Sequence, residues 1–522
     1  MPQKIENQIK NILKYPQPDI NFSPQIPPLK KIKDKTKIDI RYCVIAPYAY
    51  VHIYWNPKEY ELAYEVEEPE LTEEEKQFKE QLIDALKSMI NFDVVIEKDL
   101  NSLLEYIHQR SKILAFELEM NLSYESYNKI YYYLCRDFVG MNETEPILRD
   151  FFVEDIECNG IDTPVYIVHR YYRNIKTNIE FENLSKAESF TEKLAQRCGK
   201  HISYSQPILD GSLQDGSRVN ATYTKDITSR GPTFTIRKFT QTPWTPPQLI
   251  SFKTLSLEMM AYLWMLIEYK MNILIAGGTG SGKTTLLNVL AFFIPSESRV
   301  VSIEDTRELN LPRENWLPQV SREATGRGEF GEIDMFDLLK ASFRQRPDYI
   351  VVGEVRGKEA FVLFQGMASG HPSLSTIHAE SVETVIKRLE SPPIELSPTL
   401  LNVLDCVCIM TSAMIKKHDT RKLKEIIEII NVDKSGTALT NTPFIWNPID
   451  DEFYSKKTSK IFEKISLRSG KSREEIEEEF RKRVQFLYFL VQQKKYGFHE
   501  VQDIINEYHK NPEGVLKRFG IK

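Results

Sequence analysis

Gly277-Gly278-Thr279-Gly280-Ser281-Gly282-Lys283-Thr284 has the composition and spacing of a phosphate cradle. Glycines leave backbone N–H groups free to converge on phosphate oxygens, and the N-terminus of a following helix adds its positive end. In such a loop the lysine, here Lys283, reaches the β- and γ-phosphates. The next hydroxyl, on Thr284, ligates Mg²⁺, and Thr285 completes the binding segment. The chemistry this pattern predicts is binding and hydrolysis of ATP with Mg²⁺ as cofactor.

Transfer of a phosphoryl group to water also requires a group that orients the water and positive charge for the γ-phosphate. Three further segments end in residues suited to that work. Arg299–Ile303 runs into Glu304 and Asp305, with Glu308 just beyond; Asp348–Val352 runs into Gly353-Glu354; Ser373–Ile377 runs into His378. Glu354 occupies the Walker B position and is the candidate for activating water. Glu304 and Glu308 are candidates for the metal's water shell or for assisting the nucleophile. His378 is the candidate γ-phosphate sensor or bridge between subunits. Taken singly, a carboxylate at a strand end is usually a solvated cap and a lone histidine is usually structural; it is the joint pattern that favours function. Arg218 and Arg237, well upstream, are candidate cations for the transition state, with surface positions the bland alternative. Arg344 and Arg346 could equally be structural.

These residues need elements to position them. The loop follows the apolar run Asn272–Ala276 and precedes the helical pattern Thr285–Ala291, the strand–loop–helix setting the cradle requires. Strands and helices alternate from about residue 250 to about 390, which predicts an α/β core with a mostly parallel sheet and helices on both faces. Parallel strands would bring their carboxyl ends, and hence Glu304, Glu354, His378 and Lys283, to one rim. The core, 251–522, ends in a helical tail in which Lys471–Glu475 opens an amphipathic helix. Before it lie a Pro- and Lys-rich arm at 1–40, an α/β subdomain at 41–140, a second α+β lobe at 141–240 and a proline-stiffened linker at 241–250. In the arm, Lys30, Lys31, Lys33, Lys35 and Lys37 read as a solvated segment or as a dock for an acidic partner or membrane surface. Thr72 with Glu75 forms a capping box for a helix whose stripe is Phe78, Leu82, Leu86 and Met89.

The bulk properties narrow the field. The chain has 522 residues, a formal charge of −6, 41% hydrophobic and 27% charged residues, ordinary values for a globular protein of several domains. An acidic balance without a basic-aromatic groove argues against a nucleic-acid translocase, so no nucleic acid is expected as partner. A guanine-reading N-K-x-D and an LSGGQ-like stretch are both missing from the sequence, against a GTP switch and an ABC-type subunit. The apolar runs fall short of the roughly 20 residues a membrane span needs, and the first residues lack a signal-peptide pattern. The expected location is cytoplasmic, with peripheral association at the inner face of the membrane. The six cysteines form no C-x-x-C pair and read as reduced, partly buried side chains.

Ile303-Glu304-Asp305-Thr306-Arg307-Glu308-Leu309, the stretch Phe343–Arg356 and Gly370–Ala379 together resemble, in order and spacing, the Asp box, Walker B region and His box of type II/IV secretion ATPases. The resemblance covers at least residues 150–415, with Gly353 standing where many relatives carry Asp. It implies a RecA-like P-loop core, a PAS-like lobe at 141–240 and a homo-hexameric ring of two-lobed subunits. It also implies ATP held between lobe and core, with Arg218 and Arg237 matching lobe arginines that reach the nucleotide. The implied partners are a polytopic membrane platform protein and accessory cytoplasmic archaellum or pilus proteins. The stretch from Asp39-Ile40-Arg41-Tyr42 to Val66-Glu67-Glu68-Pro69, with Arg170-Tyr171-Tyr172-Arg173, looks like the archaeal branch, and within it most like the archaellum motor ATPases. A pilus-assembly or secretion ATPase of the same branch is the alternative.

Overall fold

The computed structural model describes residues 11–22, 32, 34–89, 99–239, 242–322, 331–415, 418–433, 436–456 and 458–520. Most of the arm's lysines, with Pro24, Pro27 and Pro28, lie outside the described residues. The chain divides into two compact units, Met1–Phe239 and Thr240–Lys522.

The first unit is built on one sheet of nine strands: β1 (Asp39–Ile45), β2 (Ala49–Asn56), β3 (Glu61–Glu67), β4 (Val153–Cys158), β5 (Pro164–His169), β6 (Arg173–Glu180), β7 (Ile208–Ser212), β8 (Arg218–Thr222) and β9 (Thr233–Arg237), in spatial order 1-2-3-6-5-4-9-8-7. Alternation does the work in β2 and β3. Val51 and Ile53, Leu62, Tyr64 and Val66 are buried, while the residues between them are not. The segments 41–140 and 141–240, expected as separate subdomains, meet in this sheet. β3 pairs with β6 through Ala63↔Lys176 and Tyr64↔Thr177, and Asn178 bonds the backbone of Val66 on both its N–H and its carbonyl. The helix Glu73–Met89 begins at the expected capping box: Glu75 N–H donates to Thr72 Oγ1 and Thr72 N–H to Glu75 Oε2. On it Leu82 and Leu86 are buried and Phe78 packs against the core. The tyrosine cluster of the helix Tyr124–Phe138 is packing, with Tyr127, Tyr131 and Tyr132 fully buried.

The second unit is a second nine-stranded sheet: β10 (Ile273–Gly277), β11 (Val300–Glu304), β12 (Trp316–Val320), β13 (Tyr349–Val352), β14 (Ser373–Ile377), β15 (Cys406–Ile415), β16 (His418–Val432), β17 (Ala438–Asn447) and β18 (Glu452–Ser455), in order 12-11-13-14-10-15-16-17-18. The six strands from β12 to β15 in that order are parallel; β16, β17 and β18 continue antiparallel. Every residue of β10, β11, β13 and β14 is buried, as a parallel sheet covered on both faces demands. Successive residues sort onto opposite faces: Ile273, Ile275, Val300, Tyr349 and Val351 join one core, and Leu274, Ala276, Val301, Ile303, Ile350 and Val352 the other. The fold of this unit is α/β: a mostly parallel sheet with core on both faces and the phosphate loop after β10.

The linker's second half is not a stiff extended segment. Pro246–Ser251 is helical, with Thr245 and Gln248 forming its capping box. Pro246 and Pro247 occupy the first turn, where a missing N–H costs nothing and a fixed φ favours the helix. The helical tail follows as expected, and the helix Arg473–Gln492 carries a capping box from Ser472 and Glu475. Its first helix, Ile461–Ser469, is anchored by Glu428, whose carboxylate accepts from Tyr262 Oη, Asn441 Nδ2, Ser459 Oγ and the N–H groups of Lys460 and Ile461. That set of donors is what makes a buried carboxylate tolerable.

Candidate active site

The phosphate loop is set by its glycines. Gly280 and Gly282 take φ of 67° and 95°, a region that side chains rarely enter. A Cβ on Gly277 would lie 2.6 Å from the Met410 carbonyl oxygen. Gly282 is the N-cap of the helix Lys283–Ala291, so Lys283 and Thr284 stand in its first turn, both half-buried. Thr279 and Gly280 form the exposed tip. Ser281, nearly buried, bonds the Gly278 carbonyl through its Oγ at 2.8 Å. Lys283 Nζ donates to the Gly277 and Gly278 carbonyls at 3.0 and 2.9 Å. Thr285 is half-buried on the same turn. Loop glycines without obstructing Cβ atoms, a helix N-terminus and a lysine at the mouth fit a polyphosphate.

The rim follows from parallel strands. β11, β13, β14 and β10 point the same way, so Glu304 and Glu308, Glu354, and His378 follow the carboxyl ends of strands in the sheet that carries the loop. Burial lowers the Lys283 pKa, Glu354 and Glu308 act to raise it, and Arg356 to lower it, which places all three within electrostatic reach of the lysine. Glu354 is partly buried and its Oε2 accepts from Arg356 Nη2 and Nε at 2.6 and 3.0 Å. Glu304 is 1% exposed. Its Oε1 accepts the N–H groups of Glu308 and Leu309, both at 2.9 Å, while Oε2 is buried without a partner. Burial pushes its carboxyl up to about 7, against those two backbone bonds. Glu308 itself is exposed. His378 is half-buried, and its carbonyl accepts from Arg388 Nη1 at 2.6 Å. Asn288 ties the P-loop helix to the segment after β11, accepting from Asn310 N–H and donating to the Glu308 carbonyl.

Gly353 has a local reason. Ile303 and Val352 are register partners, so Gly353 sits beside Glu304. A Cβ at 353 would lie 3.2 Å from Glu304 Cγ.

The two arginines lie in the first unit. Arg218 opens β8 and Arg237 closes β9, and they are register partners on adjacent antiparallel strands. Like charges directly opposite each other repel. Each is balanced by a carboxylate: Arg218 Nη2 meets Asp210 Oδ2 at 3.0 Å, and Arg237 Nε meets Asp155 Oδ1 at 3.1 Å. Arg344 and Arg346 are exposed and precede β13, at the amino edge of the sheet, opposite the rim. Sequence reasoning missed Met410 and Arg421, which contact the loop from β15 and β16. Neither belongs to a motif; only long-range strand pairing brings them there.

A strand–loop–helix phosphate cradle on the carboxyl edge of a parallel sheet, with a carboxylate at the end of β13, two strands along, is the nucleotide site of a P-loop ATPase. The family described as type II/IV secretion system protein matches residues 181–432. The uncharacterized protein MJ0900 of Methanocaldococcus jannaschii is 34% identical, over 98% of this chain and 95% of its own length. The type IV secretion system protein PtlH of Bordetella pertussis is 34% identical over 37% of this chain and 64% of its own. Among solved structures, the Legionella pneumophila ATPase DotB aligns over 70% of this chain and 91% of that one, at 19% identity and a TM-score of 0.38. The chain belongs to the type II/IV secretion system ATPase family. Among the described residues, no helix is long and apolar enough to cross a membrane.

Proposed function

We propose that the chain is a hexameric motor ATPase of the cytoplasm, bound peripherally at the inner face of the cell membrane. ATP hydrolysis drives assembly or rotation of an archaeal type IV pilin-like filament, the archaellum, through a polytopic platform protein and accessory cytoplasmic proteins. Lys283 and the loop Gly277–Thr285 hold the phosphates, and Thr284 would hold Mg²⁺ through its hydroxyl. Glu354 orients and activates water; Glu304 and Glu308 order the water around the metal; His378 senses the γ-phosphate. Arg218 and Arg237 supply positive charge in the transition state. Bound Mg²⁺ would neutralise phosphate charge, and a site offering one hydroxyl and several nearby carboxylates suits an ion that keeps most of its waters. The observation that carries this reading is the parallel pairing of β11, β13, β14 and β10, which puts Glu304, Glu354 and His378 after the same ends of the strands as the loop with Lys283.

The near-full-length match in Methanocaldococcus jannaschii favours an archaeal machine. The second reading, an archaeal pilus or secretion ATPase, is favoured by relatives named for type IV secretion and conjugal transfer. Replacing the chromosomal gene with Lys283→Ala separates them. The archaellum reading expects cells that neither swim nor display archaella but keep their pili and secreted proteins. Loss of pili or secretion with swimming intact selects the second reading, and an unchanged phenotype in all three counts against both.

A further inference from the structure

The phosphate loop is also touched from outside the four strand-end motifs. β15 pairs with β10 as far as Met410↔Gly277, then continues through Thr411–Ile415 beyond the end of that strand. β16 returns alongside, with Met410↔Leu423 and Ser412↔Arg421 in register. Side chains two apart on a strand, and those directly opposite across a ladder, share a face. Met410 and Arg421 therefore face the same way, and that face meets the loop. A Cβ on Gly282 would lie 3.4 Å from both Arg421 Cδ and Met410 Cε. Arg421 Nε donates to the Gly280 carbonyl at 3.0 Å.

Carbonyl oxygens are the wrong end of the peptide dipole for an anion site. A cradle works when its N–H groups face the ligand and its carbonyls are engaged elsewhere. Lys283 engages Gly277 and Gly278. Arg421 engages Gly280, one of the two loop glycines with positive φ, at the exposed tip. We propose that Arg421 is a positioning residue of the nucleotide site: it holds the Gly280 peptide in the orientation that receives the polyphosphate of ATP or ADP. The proposal rests on Gly277–Thr284 as the phosphate cradle and is independent of which machine the motor serves.

The full chain is purified as wild type, Arg421→Ala and Arg421→Lys. ATP hydrolysis is measured across ATP concentration, and thermal midpoints are measured with and without ADP. Losing one hydrogen bond from a charged donor changes affinity about tenfold. Arg421→Ala is expected to raise KM for ATP about tenfold with kcat within about threefold, and to lose most of the ADP-induced rise in midpoint. Its nucleotide-free midpoint stays within about 2 °C of wild type, since contacts of an exposed side chain are worth little to folding. Arg421→Lys keeps the charge without the planar fork and recovers part of the affinity. Wild-type KM in Arg421→Ala overturns the proposal, as does a fall in kcat with KM unchanged. If Arg421→Ala does not fold, Arg421→Lys decides: KM raised about threefold or more upholds the proposal and unchanged KM overturns it. A wild-type chain whose midpoint ignores ADP overturns the cradle and this proposal with it.

Discussion

At the end of β11, Glu304 holds one carboxylate oxygen on two backbone N–H groups and the other in a buried position with no partner. Burial disfavours the charged form and raises the pKa from 4.5 to about 7. A raised carboxyl stabilises the fold while it is protonated. That contribution is complete below about pH 4.5 and is lost as pH rises through about 7. Glu304→Gln keeps an acceptor for both N–H groups and has no proton to lose. Without nucleotide or Mg²⁺, wild type should therefore lose stability relative to Glu304→Gln between pH 5 and pH 8, by on the order of 3 kcal/mol at most. Thermal midpoints of the two chains across that range give the measurement, and a constant difference would remove the buried charge from the account. The same carboxyl explains Gly353, because a side chain there meets Glu304 Cγ.

At the scale of elements, β8 and β9 set Arg218 opposite Arg237, each with its own aspartate. Both side chains are well exposed, at 40% and 65%. Exposed ion pairs contribute about 0–1 kcal/mol, so the pairing is a poor reason for two facing arginines. Arg218→Ala and Arg237→Ala should each lower ATP turnover about tenfold or more while shifting the thermal midpoint by less than about 2 °C. Turnover unchanged in both would return the arginines to the surface. Much of the second unit was legible before any coordinates. Runs rich in Val, Ile and Leu that end at Gly277, Glu304 and Gly353 mark β10, β11 and β13, because a parallel strand covered on both faces is mostly apolar; β14 (Ser-Leu-Ser-Thr-Ile) is short and rich in hydroxyls and is marked by its place before His378. The edge strand β12, with Pro318 in it and partial burial, has no such run. The single sheet of the first unit was not legible either. Its β3–β6 junction joins residues more than 100 positions apart with two register pairs and one asparagine, and no local pattern announces such a pairing. Arg421 stayed hidden for the same reason, since its partner Gly280 lies 141 residues away.

Over the whole molecule, the rim makes one claim. On the proposed function, ATP is bound through Lys283 and hydrolysed through Glu354, and the second step is what would turn a binding loop into a motor. The glutamate is held as an acceptor by Arg356 and lies close enough to Lys283 to act on its protonation. Removing a positioned general base typically costs about 100-fold or more in rate while leaving ground-state binding intact. The decisive measurement is ATP binding and turnover on the full-length Glu354→Gln chain beside wild type and Lys283→Ala. The account predicts that Glu354→Gln binds ATP within about twofold of wild type and turns over at least about 100-fold more slowly, whereas Lys283→Ala loses binding as well. Near-normal turnover in Glu354→Gln would contradict it.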